Sequence, residues 1–399
     1  MKIYDKVAQV GLDVHRKFSS ASLRDASGKV IARERLDHVD RQKLRERITQ
    51  WPRGTPVILE ATFGWGWLSD ELHLLEMQPH LASSRKVAAW RTGRGIAKSN
   101  KIDADLLSEL WNEKPVFERG RMKRWWEVWL APQEVRDPRE LLRHRMTLVQ
   151  TQTQVKNRIH ATLHRHGIVT ELTDLFGVQG RRFLSLLTED KTLSLSGRQT
   201  LREDLILLDS LRRLIARATR RFRATMKRSE IGQRLMTVPG ISTVLGYTLV
   251  AEIGQIERFT SSRCLLQYSL LAPQADDSGE DHDGKPIGRR IGHAGRTTLQ
   301  WAFIQAAHSA VQKDPFFRGI FNRRTNGGKQ DRGRGYITVA NRMCRIVFSM
   351  WKNKQDYQEV PPPRPGNKRH KELISSGSGP ALHRIGHEPQ AVQAREATS

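Results

Sequence analysis

Val10-Gly11-Leu12-Asp13-Val14-His15-Arg16-Lys17 is the stretch on which the reading of this chain turns. Val7 to Val14 forms a near-continuous apolar run, the pattern of a strand buried on both faces of a sheet. A carboxylate inside such a strand is costly to desolvate unless something compensates its charge. A divalent metal ion with oxygen ligands is a common compensation. Two further carboxylates stand where a shared ion would want them. Glu60 ends the second apolar run, Pro56-Val57-Ile58-Leu59-Glu60-Ala61, and Asp103 opens a helical stretch in Lys98-Ser99-Asn100-Lys101-Ile102-Asp103-Ala104. Alone, Asp13 would be read as capping a turn; the three together predict a metal site.

Outward from that strand, residues 7–14, 18–24 and 29–36 read as three strands, with Asp25-Ala26-Ser27-Gly28 as a hairpin turn between the second and third. A helix over 39–50 leads to a strand at 56–61, and a helix over 66–76 leads to a short strand near 79–83. A mixed sheet with carboxylates on adjacent central strands is a ribonuclease H-like (RuvC-like) arrangement, so residues 1–110 are expected to be an α/β domain.

With 399 residues the chain can bury two or three cores. Lys and Arg outnumber Asp and Glu by 68 to 42, a formal charge of +26, which calls for a polyanionic partner such as nucleic acid. No apolar run reaches the ~18–20 residues a bilayer requires, and no lipidation or secretory signal is present, so no membrane partner is expected. Two cysteines, Cys264 and Cys344, make neither a disulfide framework nor a zinc pattern, which suits a reduced bacterial cytoplasm.

Residues 111–135 form a basic, tryptophan-rich linker in which Arg119, Arg121, Lys123 and Arg124 run into Trp125, Trp126 and Trp129. Such a stretch either contacts a nucleic-acid backbone and its bases or packs its tryptophans on the sheet domain. Residues 136–230 are expected to be all-α. Leu141, Leu148, Val155, Ile159 and Leu163 make one apolar stripe over 136–166, and Leu201, Leu205, Leu208, Leu211, Ile215 and Phe222 make another over 198–227. Gly167 and Gly197 mark a stop and a start. The two helices predict an antiparallel hairpin or coiled coil that also suits self-association. A helical C-terminal region spans 231–353, where Val238-Pro239-Gly240-Ile241-Ser242 before an apolar helix resembles half of a helix-hairpin-helix phosphate site. The Pro-, Gly- and Ser-rich stretch 354–399 is expected to be disordered.

These motifs, taken in order, resemble the DEDD transposases of the insertion sequence 110 family. Gly11-Leu12-Asp13-Val14-His15, Glu60-Ala61-Thr62 and Lys98 to Ala104 are similar to the RuvC-like half of that family. Arg139 to Gly167, with Lys156-Asn157-Arg158-Ile159, is similar to its linking helix. Val238-Pro239-Gly240, Ala251-Glu252-Ile253-Gly254, Phe259, Leu271-Ala272-Pro273 and Ser278-Gly279 to Gly295 are similar to its C-terminal transposase domain, so the likeness runs over residues 5–352.

The resemblance implies recombination of donor and target DNA, guided by a structured bridge RNA and carried out by a homo-oligomer, a dimer or tetramer. It implies Mg²⁺ (or Mn²⁺) held by Asp13, Glu60 and Asp103, with Asn100 at the position of the family's third acid. Ser278, in Gln274-Ala275-Asp276-Asp277-Ser278-Gly279, would be the nucleophile that forms a phosphoserine. Arg121, Lys123, Arg124, Lys156, Arg158, Arg289 and Arg290 are the expected nucleic-acid contacts. Asn100 and Asp103 lie one helical turn apart, whereas Asp105 is rotated about 200° from Asp103 and substitutes poorly. His293, Arg296 and Gln300 depart from the family's Lys, Asn and Arg. Two other readings follow from the same residues: a RuvC-like junction nuclease that uses water and dispenses with Ser278, and a non-catalytic nucleic-acid-binding protein.

Overall fold

The computed structural model describes residues 3–97, 100–118, 121–274, 290–291 and 295–357. Ser278, Arg289, His293 and all but the first few residues of the 354–399 stretch lie outside the described residues.

The N-terminal half is built from β1 (Gln9–Val14), β2 (Phe18–Arg24), β3 (Val30–Asp37), α1 (Arg41–Ile48), β4 (Pro56–Glu60), α2 (Trp65–Leu74), β5 (Gln78–Ala82), α3 (Ser84–Gly93) and α4 (Asn100–Glu109). The chain continues through β6 (Val116–Glu118), β7 (Arg121–Lys123) and β8 (Glu127–Val128). Six strands join in the order β3-β2-β1-β4-β5-β8. β1 is antiparallel to β2 and parallel to β4, and β5 continues the parallel run.

Alternation along β1 divides the two faces. Val10, Leu12 and Val14 pack with Leu44, Ile48, Leu68 and Leu72 of α1 and α2. Ile58 and Ala82 face the other way, into a cluster with Val87, Leu107, Leu110 and Trp126. The hairpin turn forms as its residues dictate: Asp25 Oδ1 accepts from the backbone N–H groups of Ser27 and Lys29, and Gly28 takes φ +83°.

Two features depart from the sequence reading. Residues 84–93, where the sequence pattern predicts no element, form α3, a largely polar helix in which only Val87 is fully buried. The stretch 111–135 is also more than a linker, because β8 pairs with β5 and extends the sheet. Trp126 is fully buried there, with its indole N–H donating 2.8 Å to the Leu110 carbonyl. Of the two roles open to the tryptophans, Trp126 takes the packing one.

Helix α5 (Gln133–Arg165) leaves the sheet domain, α6 (Val178–Leu187) follows, and α7 (Leu195–Arg228) returns along α5. Val155, Ile159 and Leu163 meet Leu201, Leu205, Leu208 and Leu211 across that seam. Ser194 caps α7 by accepting from the Gly197 N–H. The remainder comprises α8 (Glu230–Met236), α9 (Thr243–Ile253), α10 (Ser262–Tyr268), β9 (Pro273–Gln274), β10 (Arg290–Ile291), α11 (Thr297–Lys313), α12 (Pro315–Thr325) and α13 (Arg332–Asn353). Phe303, Ala306, Val339 and Val347 anchor its own core. Gly240 answers to packing there: a Cβ at that position would lie 2.3 Å from the Ala306 carbonyl oxygen of α11.

Candidate active site

Gly11 explains how a helix comes to lie over the acidic strand. A Cβ at Gly11 would sit 2.2 Å from the Ser108 nitrogen and 2.3 Å from the Ala104 oxygen, so the backbone of α4 rests directly on β1. Asp13 is two residues further along β1 and therefore faces the same side of the sheet. The parallel register runs through Leu12 and Leu59, and the next residue on each strand is an acid, Asp13 and Glu60. Both carboxylates thus stand at the C-terminal ends of adjacent parallel strands, where open α/β sheets place their ligand crevices. Asp103, in the first turn of α4, immediately precedes Ala104, whose carbonyl touches Gly11.

The three acids share a face, but Asp13 and Asp103 are each engaged by a base. His15 Nε2 lies 3.0 Å from Asp13 Oδ2. Arg91 Nη1 lies 3.2 Å from Asp103 Oδ1. Among the described residues no three His, Cys, Asp or Glu side chains are gathered closely enough to chelate a metal ion. Asp13 and Asp103 take the basic neighbours His15 and Arg91 in this conformation. Their donor chemistry, oxygen atoms on one face at the strand ends, still suits a hard divalent cation. Asn100 is the first residue of α4, and its side chain lies outside the described residues.

Asp105 lies over the same sheet face but points sideways toward β2 and β3, away from the strand ends that bear Asp13 and Glu60. It accepts from Ser22 at 2.6 Å and from the Arg33 guanidinium at 2.8 to 3.1 Å. Burial pushes its carboxyl up, but the Arg33 and Ser22 hydrogen bonds outweigh that and hold it below the usual carboxylate range.

The expected nucleic-acid residues are placed unevenly. Lys123 is exposed. Arg124 stacks on the Trp111 ring at 3.8 Å and donates to the Trp111 and Glu113 carbonyls. Lys156 Nζ sits 4.9 Å over the Phe176 ring. Arg158 pairs with the buried Asp204, tying α5 to α7 and raising the arginine's own pKa. Arg121 and Arg290 belong to short strands and their side chains, like Arg289, lie outside the described residues.

A buried charged junction that sequence reasoning missed joins the two halves. Arg139 of α5, 5% exposed, donates from Nε to the Ala251 carbonyl at 2.9 Å and from Nη2 to the Glu252 carbonyl at 2.8 Å. It satisfies the last carbonyls of α9 and complements that helix's negative end. Arg296 Nε donates 3.0 Å to the Tyr268 hydroxyl, and Arg258 stacks 4.3 Å over the same ring. Burial raises the Tyr268 pKa, but Arg296, Arg258 and Arg139 overcome it and leave the phenol more acidic than usual. Nothing in the local sequence flags such a junction, because its members are scattered from residue 139 to residue 296.

Two family models match. One, a transposase model of the DEDD type for IS110, covers residues 10–168, and a second, described as Transposase IS116/IS110/IS902 family, covers residues 232–322. The transposase for insertion sequence element IS1111A of Coxiella burnetii is 24% identical over 238 residues, 56% of this chain and 61% of the relative. The chain thus spans less than two thirds of that relative. The transposase for IS1328 of Yersinia enterocolitica is 22% identical over 350 residues, covering 86% of this chain and 96% of its own length. A Pseudomonas aeruginosa protein named "probable family 20 transposase" is 23% identical over 354 residues, 88% and 99% of the two chains.

Proposed function

This chain belongs to the IS110 family of insertion-sequence transposases, and on that premise we propose that it cuts and rejoins donor and target DNA through a phosphoserine on Ser278, guided by a bridge RNA. The observation that carries the catalytic reading is the placement of Asp13 and Glu60 on adjacent parallel strand ends, beneath the α4 turn that bears Asp103. We take the N-terminal domain as RuvC-like on that basis. Asp13, Glu60 and Asp103, with Asn100 beside them, would hold Mg²⁺ or Mn²⁺ once His15 and Arg91 give way. Such an ion supplies charge neutralisation and polarisation at the scissile phosphate.

The protein's own contribution is a hydroxyl and a scaffold. A serine is a weak nucleophile at neutral pH and needs its proton taken by a base. As the Ser278 Oγ–P bond forms, the P–O bond of the scissile diester breaks and a strand hydroxyl departs with a proton. Attack by the hydroxyl of another strand reverses the step, so the diester energy is kept and no nucleotide triphosphate is consumed.

Binding of the nucleic acids is supported by the charge of +26 and by the second half of α7. Between Ser210 and Ser229 that helix carries eight Lys or Arg and no acid. Arg213, Arg217, Arg220, Arg221 and Arg223 are exposed. Homo-oligomerisation is supported by apolar side chains left outside the seam, Ile206 at 62% exposure among them.

The test is an adduct assay with element DNA and its flanking transcript. Wild-type protein should form a covalent protein–DNA species, and Ser278→Ala should form none while keeping nucleic-acid affinity. An adduct formed by Ser278→Ala would overturn the nucleophile. DNA cleavage by that variant with no adduct would establish the water-using nuclease instead.

A further inference from the structure

One surface cleft is assigned no role by the chemistry above. Ala89 and Trp90 lie three and four residues after Lys86, one turn further along, and so share a face of α3 with it. Opposite them stands Trp125, in the turn that leads into β8. The four line a shallow cavity of ≈ 440 Å³. The two indole rings lie 6.0 Å apart at 56° and are only partly buried. Their placement is built rather than incidental. Trp126 is locked in the core, which turns its neighbour Trp125 outward, and the Lys86 ammonium donates 2.5 Å to the Trp125 carbonyl. The Ser83 N–H donates 2.9 Å to the Trp126 carbonyl, fixing α3 against the same turn.

The rim carries two cations. The Arg94 guanidinium lies 4.7 Å over the Trp90 ring and pairs with Glu109 at 2.8 Å, and the exposed Lys86 lines the cleft. Apolar aromatic walls beneath cations fit a flat π-system that carries a phosphate, since base–aromatic stacking tolerates any base while the cations hold the backbone. The location narrows the occupant. Trp90 precedes Arg91, whose guanidinium holds Asp103, and Ser84 at the start of α3 donates 3.1 Å to the Ala61 carbonyl beside Glu60. Helix α3 thus joins the cleft to the elements that bear Asp103 and Glu60.

We propose that the Trp90–Trp125 cleft is a subsite for an unpaired nucleobase of the DNA strand that passes the catalytic carboxylates. This rests on the reading of the chain as a DNA-strand transferase. It adds to that reading a use for the partly exposed Trp90 of α3.

The experiment compares the full-length protein's affinity for oligo(dT) with its affinity for an abasic deoxyribose-phosphate oligomer of the same length and charge. A ratio of affinities cancels any loss of properly folded protein. Wild type should prefer the base-bearing strand by about 5- to 100-fold. Trp90→Leu and Trp125→Leu keep apolar contact but lose the indole face, and each should cut that preference severalfold with abasic affinity unchanged. Trp90→Phe should recover most of it. An unaltered preference in both leucine variants overturns the subsite while leaving DNA binding in place. A larger Trp90-dependent preference for oligo(rU) over oligo(dT) overturns the assignment to DNA. Absence of binding to either oligomer by wild type contradicts the transferase reading itself, and the subsite with it.

Discussion

Gly11 matters to the geometry out of proportion to its size, because the space its missing side chain would fill is occupied by the backbone of α4. Gly11→Val should displace α4 and cost about 1–3 kcal/mol or more, the price of overpacking against an unyielding backbone. Thermal unfolding measures the loss, and strand cleavage should fall with it because Asp103 moves with the helix. Asp105 contributes a pH dependence to stability. Its folded pKa is held below the usual carboxylate value, so it contributes stability at neutral pH that is lost as the pH falls through that lowered value. Arg33→Met should therefore reduce stability at pH 7 and flatten the acid limb, whereas stability equal to wild type at both pH values would show the pair to be inert. Cys344 is buried, and burial lifts its thiol to about 12, so a thiol reagent applied to native protein near pH 8 should label Cys264 and spare Cys344.

At the level of elements, legibility in the sequence followed local pattern. β1 and β4 were readable as apolar runs and β2 and β3 through the turn between them, and α5 and α7 because apolar stripes recur along helices of 33 and 34 residues. β8 was not, since two residues carry no periodicity and Glu127 and Val128 become a strand only by pairing with Ala82 and Leu81. α3 was hidden for the related reason that only Val87 of its ten residues is fully buried. Asp13, Glu60 and Asp103 stand out in the sequence as acids at the ends of apolar or helical runs, but the basic partners His15 and Arg91 depend on tertiary approach that no spacing encodes. The Arg139 junction is similar, and it ties α5 to the end of α9. The Glu252 carboxylate is buried with Arg139 Nε and Arg296 Nε each 3.7 Å away, so Arg139→Met leaves it with Arg296 alone and should cost about 3 kcal/mol. Adding Glu252→Met should restore part of the loss. A double variant no more stable than Arg139→Met would show that the two are not coupled.

Over the whole molecule, charge and active-site geometry make separate demands. Replacing Arg217, Arg220 and Arg221 of α7 with Gln should weaken nucleic-acid binding and lower the salt slope by about 0.7–0.9 for each phosphate no longer neutralised. An unchanged slope would remove the α7 surface from the interface. Those arginines should affect binding, whereas the carboxylate face should affect chemistry. The most direct test is Mg²⁺-dependent cleavage of element DNA by wild type and by Asp13→Ala, at protein concentrations that saturate the DNA. The account predicts cleavage by wild type that chelator abolishes, and a loss of at least about 100-fold in Asp13→Ala with affinity retained, the scale expected when stabilisation of transition-state charge is removed. Cleavage by Asp13→Ala at the wild-type rate, or wild-type cleavage that persists in chelator, would contradict it.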